Sequence, residues 1–567
     1  MKNHQRIRRL LTVVLTLALC VPAAATVSAV QYPDTAGRPD TERIDAWSDA
    51  GVLRGASQEP MGPEFFRPDA PATRADAAES LYAIFRDAWT ERTEKTFSDL
   101  YGLPDAKVSY AGVNAILHAV AADVLHGSET PMGRTISPLN PVTREELAVM
   151  IARAFKIEAP AEDADFKDAA SVSRYATGAV SAFVSKGYLP VGEDGAFNPD
   201  GTVTRSELLA VYERMTKDYP SLAARKTESG SYAYTEILVG KSPIADAAFS
   251  QWENIAAFTP AHALEPFTYA ENREKDISVR FYKPIRSTGH DPLLLYVFGG
   301  AWVLGDNTQI EAQNFALLET CLRNGIAVAS LSYSLSQEAA YPQPLHELKA
   351  QIRYLRANAE SLGIDPDNFG IAGASAGGYW AQLLALTGDS PAHEGELFGN
   401  AGVSSKVGYA LDMFGISDMT NMFGQVDPYI QDIDTARFMH DTPFSAEAMF
   451  FGMNRYKSEQ YPAGVSMADI RAVRASGDVS HELWELAQTV KSASPVNNVD
   501  SGDPPFLLYH GTQDFLVPVY QDIELYALLK KANVPAQIHI AAYTGHELLH
   551  PAHEIAIYDW VVAQAKP

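Results

Sequence analysis

Cysteine is almost absent: 567 residues contain only Cys20 and Cys321. Cys20 falls in an N-terminal segment expected to be removed, so the mature chain keeps Cys321 alone. No internal disulfide can then form, and stability outside the cell must come from packing. Positive charge is scarce as well. Lys and Arg number 45 against 70 Asp and Glu, a formal net charge of −25. Phosphate contacts require a basic surface, so general nucleic-acid binding is excluded as a class. The apolar run Leu10–Cys20 is shorter than the roughly 20 residues a spanning helix needs. No membrane span is expected after cleavage. What remains is ordinary globular composition, 46% hydrophobic and 20% charged, in a chain too long for one core.

Residues 1–30 read as an export signal. Lys2, Arg6, Arg8 and Arg9 precede the apolar run, small residues follow it, and cleavage fits after Ala25 or Ala29. Leu19 is too bulky for lipid attachment at Cys20.

One pattern then appears three times. "FRPDAPATRAD" (66–76), "ISPLNPVTREE" (136–146) and "FNPDGTVTRSE" (197–207) align without gaps, and each leads into a segment of helical period. "YPD" (32–34), "FSD" (97–99) and "FKD" (166–168) stand earlier in the three units, which divide as 31–93, 94–160 and 161–216. A helix–loop–helix unit recurring every 60–70 residues is a repeat architecture. Thr73, Thr143 and Thr204 occupy helix N-caps, with Asp76, Glu146 and Glu207 three residues on, the spacing of a capping box. Arg74, Arg144 and Arg205 follow at the first helical position, where the macrodipole disfavours a cation. Two readings fit an arginine placed there three times: a fork for an anionic ligand, which the sequence favours, or a pair with the acid of a neighbouring repeat.

The three units resemble S-layer homology (SLH) repeats, whose hallmark is a "TRAE" segment after an "F-x-P" loop. The resemblance implies an all-α pseudo-trimer that binds pyruvylated secondary cell-wall polysaccharide. It also implies that Asp34, Asp99, Asp168, Arg74, Arg144 and Arg205 line the grooves, and that the secreted protein is held non-covalently on the bacterial cell wall. Tyr110 and Tyr175 stand where the family has Trp, and Asp76 and Ser206 depart from "TRAE".

After a polar linker (217–232) the text changes. "LLLYVFGG", "GIAVASLSYSL", "FGIAGAS" and "PPFLLYHG" alternate with amphipathic periods, predicting a mostly parallel α/β sheet over 233–567. Within it, Gly373-x-Ser375-x-Gly377 sits between an apolar strand and a helix. A strand-to-helix turn sharp enough to expose a nucleophile needs small neighbours, and Ser375 has them. A serine needs a base, and the base an acid, in the chain order Ser, acid, His. Asp514 in "TQDFLVP" and His546 in "TGHELLH" both follow strands in that order; Asp500 and Asp503 are weaker rivals because they precede one. The Gly-rich turn in "LLLYVFGGAWVLGD" (293–306) nominates backbone N–H groups of Gly299, Gly300 and Ala301, with Ala376, as oxyanion donors. "HELLH" (546–550) matches a zinc motif, but Pro551 disfavours helix at His550, so no metal and no cofactor is expected. Residues 414–493, rich in Met, Phe and Tyr, break the strand–helix rhythm and read as a helical cap. Phe450, Phe451, Tyr456 and Trp484 are candidate acyl-pocket walls or equally the cap's own core.

Together these segments resemble carboxylesterases of the hormone-sensitive-lipase-like and acetyl- or feruloyl-esterase-like α/β-hydrolase group. Phe298 replaces the His of that group's "HGGGW" loop, and Ala301 its third Gly. The resemblance implies an ester substrate, acylated polysaccharide or a smaller ester. The alternatives are a serine peptidase of prolyl-oligopeptidase type and an inactive wall-bound scaffold.

Overall fold

The computed structural model describes residues 32–53, 55–57, 64–86, 88–89, 91–93, 95, 97, 110–130, 133–226, 234–244, 273–284, 287–547 and 551–565. The expected export signal, Asp99, residues 227–232 of the linker and His550 lie outside the described residues. The chain divides into two compact units, Met1–Tyr232 and Ala233–Pro567.

The N-terminal unit contains α1 (Thr41–Asp49), α2 (Arg74–Phe85), α3 (Tyr110–Ala121), α4 (Arg144–Phe155), α5 (Thr177–Lys186), α6 (Arg205–Met215) and α7 (Pro220–Lys226). It is not all-helical, as the family resemblance implied. Two short antiparallel ladders, Ala56–Ser57 with Glu64–Phe65 and Ser128–Thr130 with Gly133–Thr135, lead into the first two loops. Thr73 and Thr143 form complete capping boxes with Asp76 and Glu146. Thr204 accepts from the Glu207 N–H, and no return bond from Glu207 completes the box.

The three loops close on one another as a ring. Ala72 N–H donates to Val203 O at 2.8 Å, Val203 N–H to Val142 O at 3.3 Å, and Val142 N–H to Ala72 O at 2.9 Å. The arginines follow the same circuit. Arg74 Nη1 meets Glu146 at 2.7 Å, Arg144 Nη1 meets Glu207 at 2.7 Å, and Arg205 Nη1 meets Asp76. Each Nε donates to a loop carbonyl of that same next repeat: Ile136 O at 2.9 Å, Phe197 O at 2.7 Å and Phe66 O at 2.8 Å respectively. Of the two readings open in the sequence, this geometry supplies the pair with the acid of a neighbouring repeat. Each guanidinium is committed to the carboxylate of the next repeat, which also answers the cost of a cation at a helix N-terminus.

The early aspartates are committed too. Asp34 accepts from the N–H groups of Phe66 (3.0 Å) and Arg67 (2.6 Å), and Asp168 from those of Phe197 and Asn198, both at 2.7 Å. They clamp the first and third loops where the backbone turns left-handed, at Arg67 (φ 56°) and Asn198 (φ 60°); Ser137 (φ 52°) turns the same way in the second loop. Partial burial opposes ionisation of Asp168, but these two donors outweigh it and hold the carboxyl below its ordinary range.

The C-terminal unit is built on one eight-stranded sheet. Its strands are β1 (Tyr234–Ile244), β2 (Arg273–Tyr282), β3 (Asp291–Val297), β4 (Ala327–Leu331), β5 (Ile364–Ala374), β6 (Tyr409–Met413), β7 (Phe506–Gly511) and β8 (Ala536–Ala541). Their spatial order is β8-β7-β6-β5-β3-β4-β2-β1. β2 runs antiparallel to both β1 and β4, and every other neighbouring pair is parallel. The residues of β4, β6 and β7 are buried throughout, because helices cover both faces of a parallel sheet. Those helices include α8 (Phe315–Arg323), α9 (Gln343–Ala357) and α10 (Ala376–Thr387). Between β6 and β7 the chain forms α11 (Ile433–His440), α12 (Ala446–Phe450), α13 (Met467–Ser476) and α14 (Trp484–Ala493). α15 (Tyr520–Lys531) joins β7 to β8, and α16 (Pro551–Ala565) follows.

If the arginine circuit closes the N-terminal unit, Arg144→Ala removes three charge-assisted bonds and costs about 2 kcal/mol. Calorimetry of the whole chain should show the N-terminal transition falling by about 4–8 °C while the C-terminal one stays put. Lys at 144 should recover less than half, because it lacks the fork that reaches Phe197 O and Pro190 O. An unchanged N-terminal transition would contradict the circuit's role.

Candidate active site

Ser375 stands at the junction of β5 and α10, with φ 59° and ψ −123°. That conformation is sparsely populated for a residue with a side chain and costs about 1–3 kcal/mol. Close packing holds it. A Cβ on Gly373 would lie 2.1 Å from Gly377 O, and one on Gly377 would lie 2.1 Å from Val297 O. The turn is thus pressed against the end of β3, and glycine on both sides of the serine is a requirement of distance. Ser375 N–H donates to Met413 O at 2.9 Å, tying the turn to β6 as well.

The loop after β3 lies against the serine: a Cβ on Gly299 would come 2.7 Å from Ala374 O and 3.3 Å from Ser375 Cβ. The backbone stays left-handed through Gly300 (φ 111°), Ala301 (φ 51°) and Trp302 (φ 60°), and Val303 and Leu304 N–H both return to Gly300 O. The N–H groups of Gly300 and Ala301 donate to no acceptor among the described residues. Phe298 stacks on Tyr333 with ring centroids 4.3 Å apart, and Tyr333 Oη donates to Phe298 O. An apolar stack therefore anchors the loop at the position where the "HGGGW" motif has His.

Asp514, in the loop after β7, has a fully buried side chain. Its Oδ2 meets His546 Nδ1 at 2.6 Å, and its Oδ1 accepts from Leu516 and Val517 N–H, both at 2.9 Å. Burial works against the charged carboxylate, but the His546 charge and bonds from His510 and His546 outweigh it and hold Asp514 far below the usual range. His546, after β8, packs its ring on Phe414 with centroids 4.6 Å apart. Phe414 follows the Met413 carbonyl that binds Ser375, so one short segment contacts both the serine turn and the histidine. Asp500 and Asp503 bond within their own turn before β7.

The His546 nitrogen that faces Asp514 is not open to a zinc ion. His553 packs against Tyr509 and His539, with centroids at 5.5 and 5.8 Å. The 414–493 aromatics divide. Phe450 is 1% exposed and packs on Trp302 of the Gly-rich loop at 4.8 Å, with Tyr341, Tyr379 and Trp380 around it. Phe450 and Phe451 are therefore core. Tyr456 is half-buried and bonds Glu482, and Trp484 is half-buried.

Sequence reasoning passed over three buried groups behind Asp514. His510 lies 3.2 Å from Asp514 and 2.9 Å from Asp522, and Asp412 is in hydrogen-bonding contact with Asp522. The available signal was a histidine in the otherwise apolar strand "FLLYHG".

The BD-FAE family profile matches residues 279–468, the prolyl oligopeptidase family profile residues 480–566, and the S-layer homology domain profile residues 165–209. The C-terminal unit has an α/β-hydrolase fold with a mostly parallel sheet. Esterase LipC of Mycobacterium tuberculosis is 26% identical over 232 residues, 41% of this chain and 46% of that protein. Esterase LipQ of the same organism is 27% identical over 276 residues, 48% and 53% respectively. Carboxylesterase NlhH, also of M. tuberculosis, is 31% identical over 144 residues, 25% and 44%. The chain thus spans about half the length of the curated relatives it matches. Among solved structures, an acetyl ester-xyloside bifunctional hydrolase from Caldicellulosiruptor lactoaceticus aligns at 20% identity and TM-score 0.38, over 59% of this chain and 97% of that one.

Two substitutions in the hydrolase domain test the backbone argument in opposite directions. Gly377→Ala puts a methyl against the Val297 carbonyl and should cost at least about 2 kcal/mol. Ala301→Gly relieves a left-handed alanine and should be neutral or stabilising by up to about 1 kcal/mol. Urea unfolding of both variants checks this, and equal effects would contradict the geometry.

Proposed function

We propose that this chain is a serine carboxylic-ester hydrolase displayed on the cell wall. The observation that carries the reading is the strained Ser375 turn linked through Met413 and Phe414 to the Asp514–His546 pair, in chain order Ser, Asp, His. Ser375 Oγ attacks the ester carbonyl while His546 Nε2 takes its proton, with Asp514 holding Nδ1–H and thereby the tautomer. The oxyanion forms against backbone N–H groups of Gly299, Gly300, Ala301 and Ala376. Collapse breaks the ester C–O bond, and the alcohol leaves with the proton from His546. Water, deprotonated by the same base, then releases the acid from Ser375.

The relatives with which the chain shares 26–31% identity are esterases and a carboxylesterase, which favours an ester over an amide. Acetyl or feruloyl esters of plant polysaccharide are the substrate class a wall-displayed enzyme would meet. A second reading has one observation behind it: the prolyl oligopeptidase profile over the segment that holds Asp514 and His546. p-Nitrophenyl acetate against a prolyl-nitroanilide separates the two. The ester should turn over at least a hundredfold faster, and the reverse preference would select the peptidase. Ser375→Ala should lose at least 10³-fold in kcat with folding intact. A variant keeping a tenth of wild-type kcat would remove Ser375 from the role.

The N-terminal unit is proposed to hold the protein on pyruvylated secondary cell-wall polysaccharide. The support is the SLH profile at 165–209 and the threefold repetition of its motif. Sedimentation of the whole chain with purified walls should be lost when the pyruvyl ketals are removed by mild acid. Retention on such walls would contradict a pyruvate-dependent attachment.

A further inference from the structure

His510 is fully buried in β7, and both of its ring nitrogens face acceptors. Nε2 lies 2.8 Å from Val517 O and 3.2 Å from Asp514 Oδ2, while Nδ1 lies 2.9 Å from Asp522 Oδ2. A carbonyl oxygen can only accept, so Nε2 carries a proton, and Nδ1 faces a carboxylate. Asp522, on α15, is itself fully buried and touches Asp412 of β6, which is also fully buried. Gln382 Nε2 donates to Asp412 Oδ2 at 2.7 Å, while Asp412 Oδ1 and Asp522 Oδ1 have no donor among the described residues. Two buried carboxyl groups in contact cannot both ionise cheaply, and one proton between them satisfies both.

We propose that His510 is a positioning residue for the reaction assigned above: a buried imidazolium that holds Asp514 toward His546, its charge balanced by Asp522 through a proton shared with Asp412. The role rests on the assignment of Ser375, His546 and Asp514. Among the described residues, the titratable groups facing His510 are Asp514 on the loop after β7, Asp522 on α15 and Asp412 on β6, with His546 beyond Asp514. Burial alone would push the His510 ring down, but Asp522 and Asp514 outweigh it and raise it to about 10. Asp412 is pushed up, first by burial and then by the charge of Asp522.

His510 touches no reacting atom and acts through Asp514. His510→Gln keeps a donor near the Nε2 position and removes the charge. The sign of the effect follows directly. With a positive charge gone from behind Asp514, a proton is held more readily at the base, and the acidic limb of kcat/KM moves to higher pH. A residue that merely fills space would move no limb.

The test uses the whole chain with p-nitrophenyl acetate. For His510→Gln, kcat should fall about tenfold with KM within about twofold, and the acidic limb should rise by about half a unit. A folded His510→Gln with wild-type kcat and an unmoved limb, beside an inactive Ser375→Ala, would overturn the role of His510 and leave the esterase reading standing. Wild type no faster than Ser375→Ala would instead overturn the reaction and this role with it. Should the variant not fold, nitrogen-15 NMR of the wild type decides the charge. A doubly protonated His510 ring at pH ~8 is expected, well above the ordinary His value of about 6.5. A single neutral tautomer would overturn the proposal.

Discussion

The C-terminal unit of this protein is organised around one backbone conformation, the positive φ at Ser375. A serine does not adopt it unaided, and three strands are arranged to impose it. β5 delivers the residue, the Val297 carbonyl at the end of β3 leaves no room for a side chain at Gly377, and the Met413 carbonyl of β6 binds the serine N–H. The same closeness brings Gly299 against Ser375, so the turn that carries the serine also sets the Gly-rich loop beside it. Strain at a site persists only where surrounding structure over-determines it. Here the over-determination is interlocking glycine contacts.

A related economy runs through the N-terminal unit. Three loops must turn left-handed, three helices must start, and no disulfide is available. An aspartate clamps the described first and third loops, a threonine caps each following helix, and an arginine ties each helix start to the next repeat's carboxylate. The arginines look anomalous at a helix N-terminus only when one repeat is read in isolation. Across the ring each cation has an anion.

The parallel sheet, the serine turn and the Asp–His order were legible because each writes a local signature: apolar runs, paired glycines, and acid or histidine just past a strand. The fate of Arg74, Arg144 and Arg205 was not, because their partners lie 72, 63 and 129 residues away in sequence. Phe450 was equally ambiguous for the same reason, since only the fold brings it against Trp302. The buried group behind Asp514 left one faint mark, the polar His510 in an apolar strand. Asp412 and Asp522 left none, because a carboxylate on a strand or helix reads as solvated until its neighbours are known.

Ser375 is proposed to be made nucleophilic by its setting. The most direct measurement is reaction of the folded protein with a fluorophosphonate, followed by intact mass and peptide mapping. The account predicts one adduct per chain, on the peptide containing Ser375, and none after denaturation, when the turn and the Asp514–His546 pair are gone. No adduct on the folded protein, or an adduct mapped to any other serine, would contradict it.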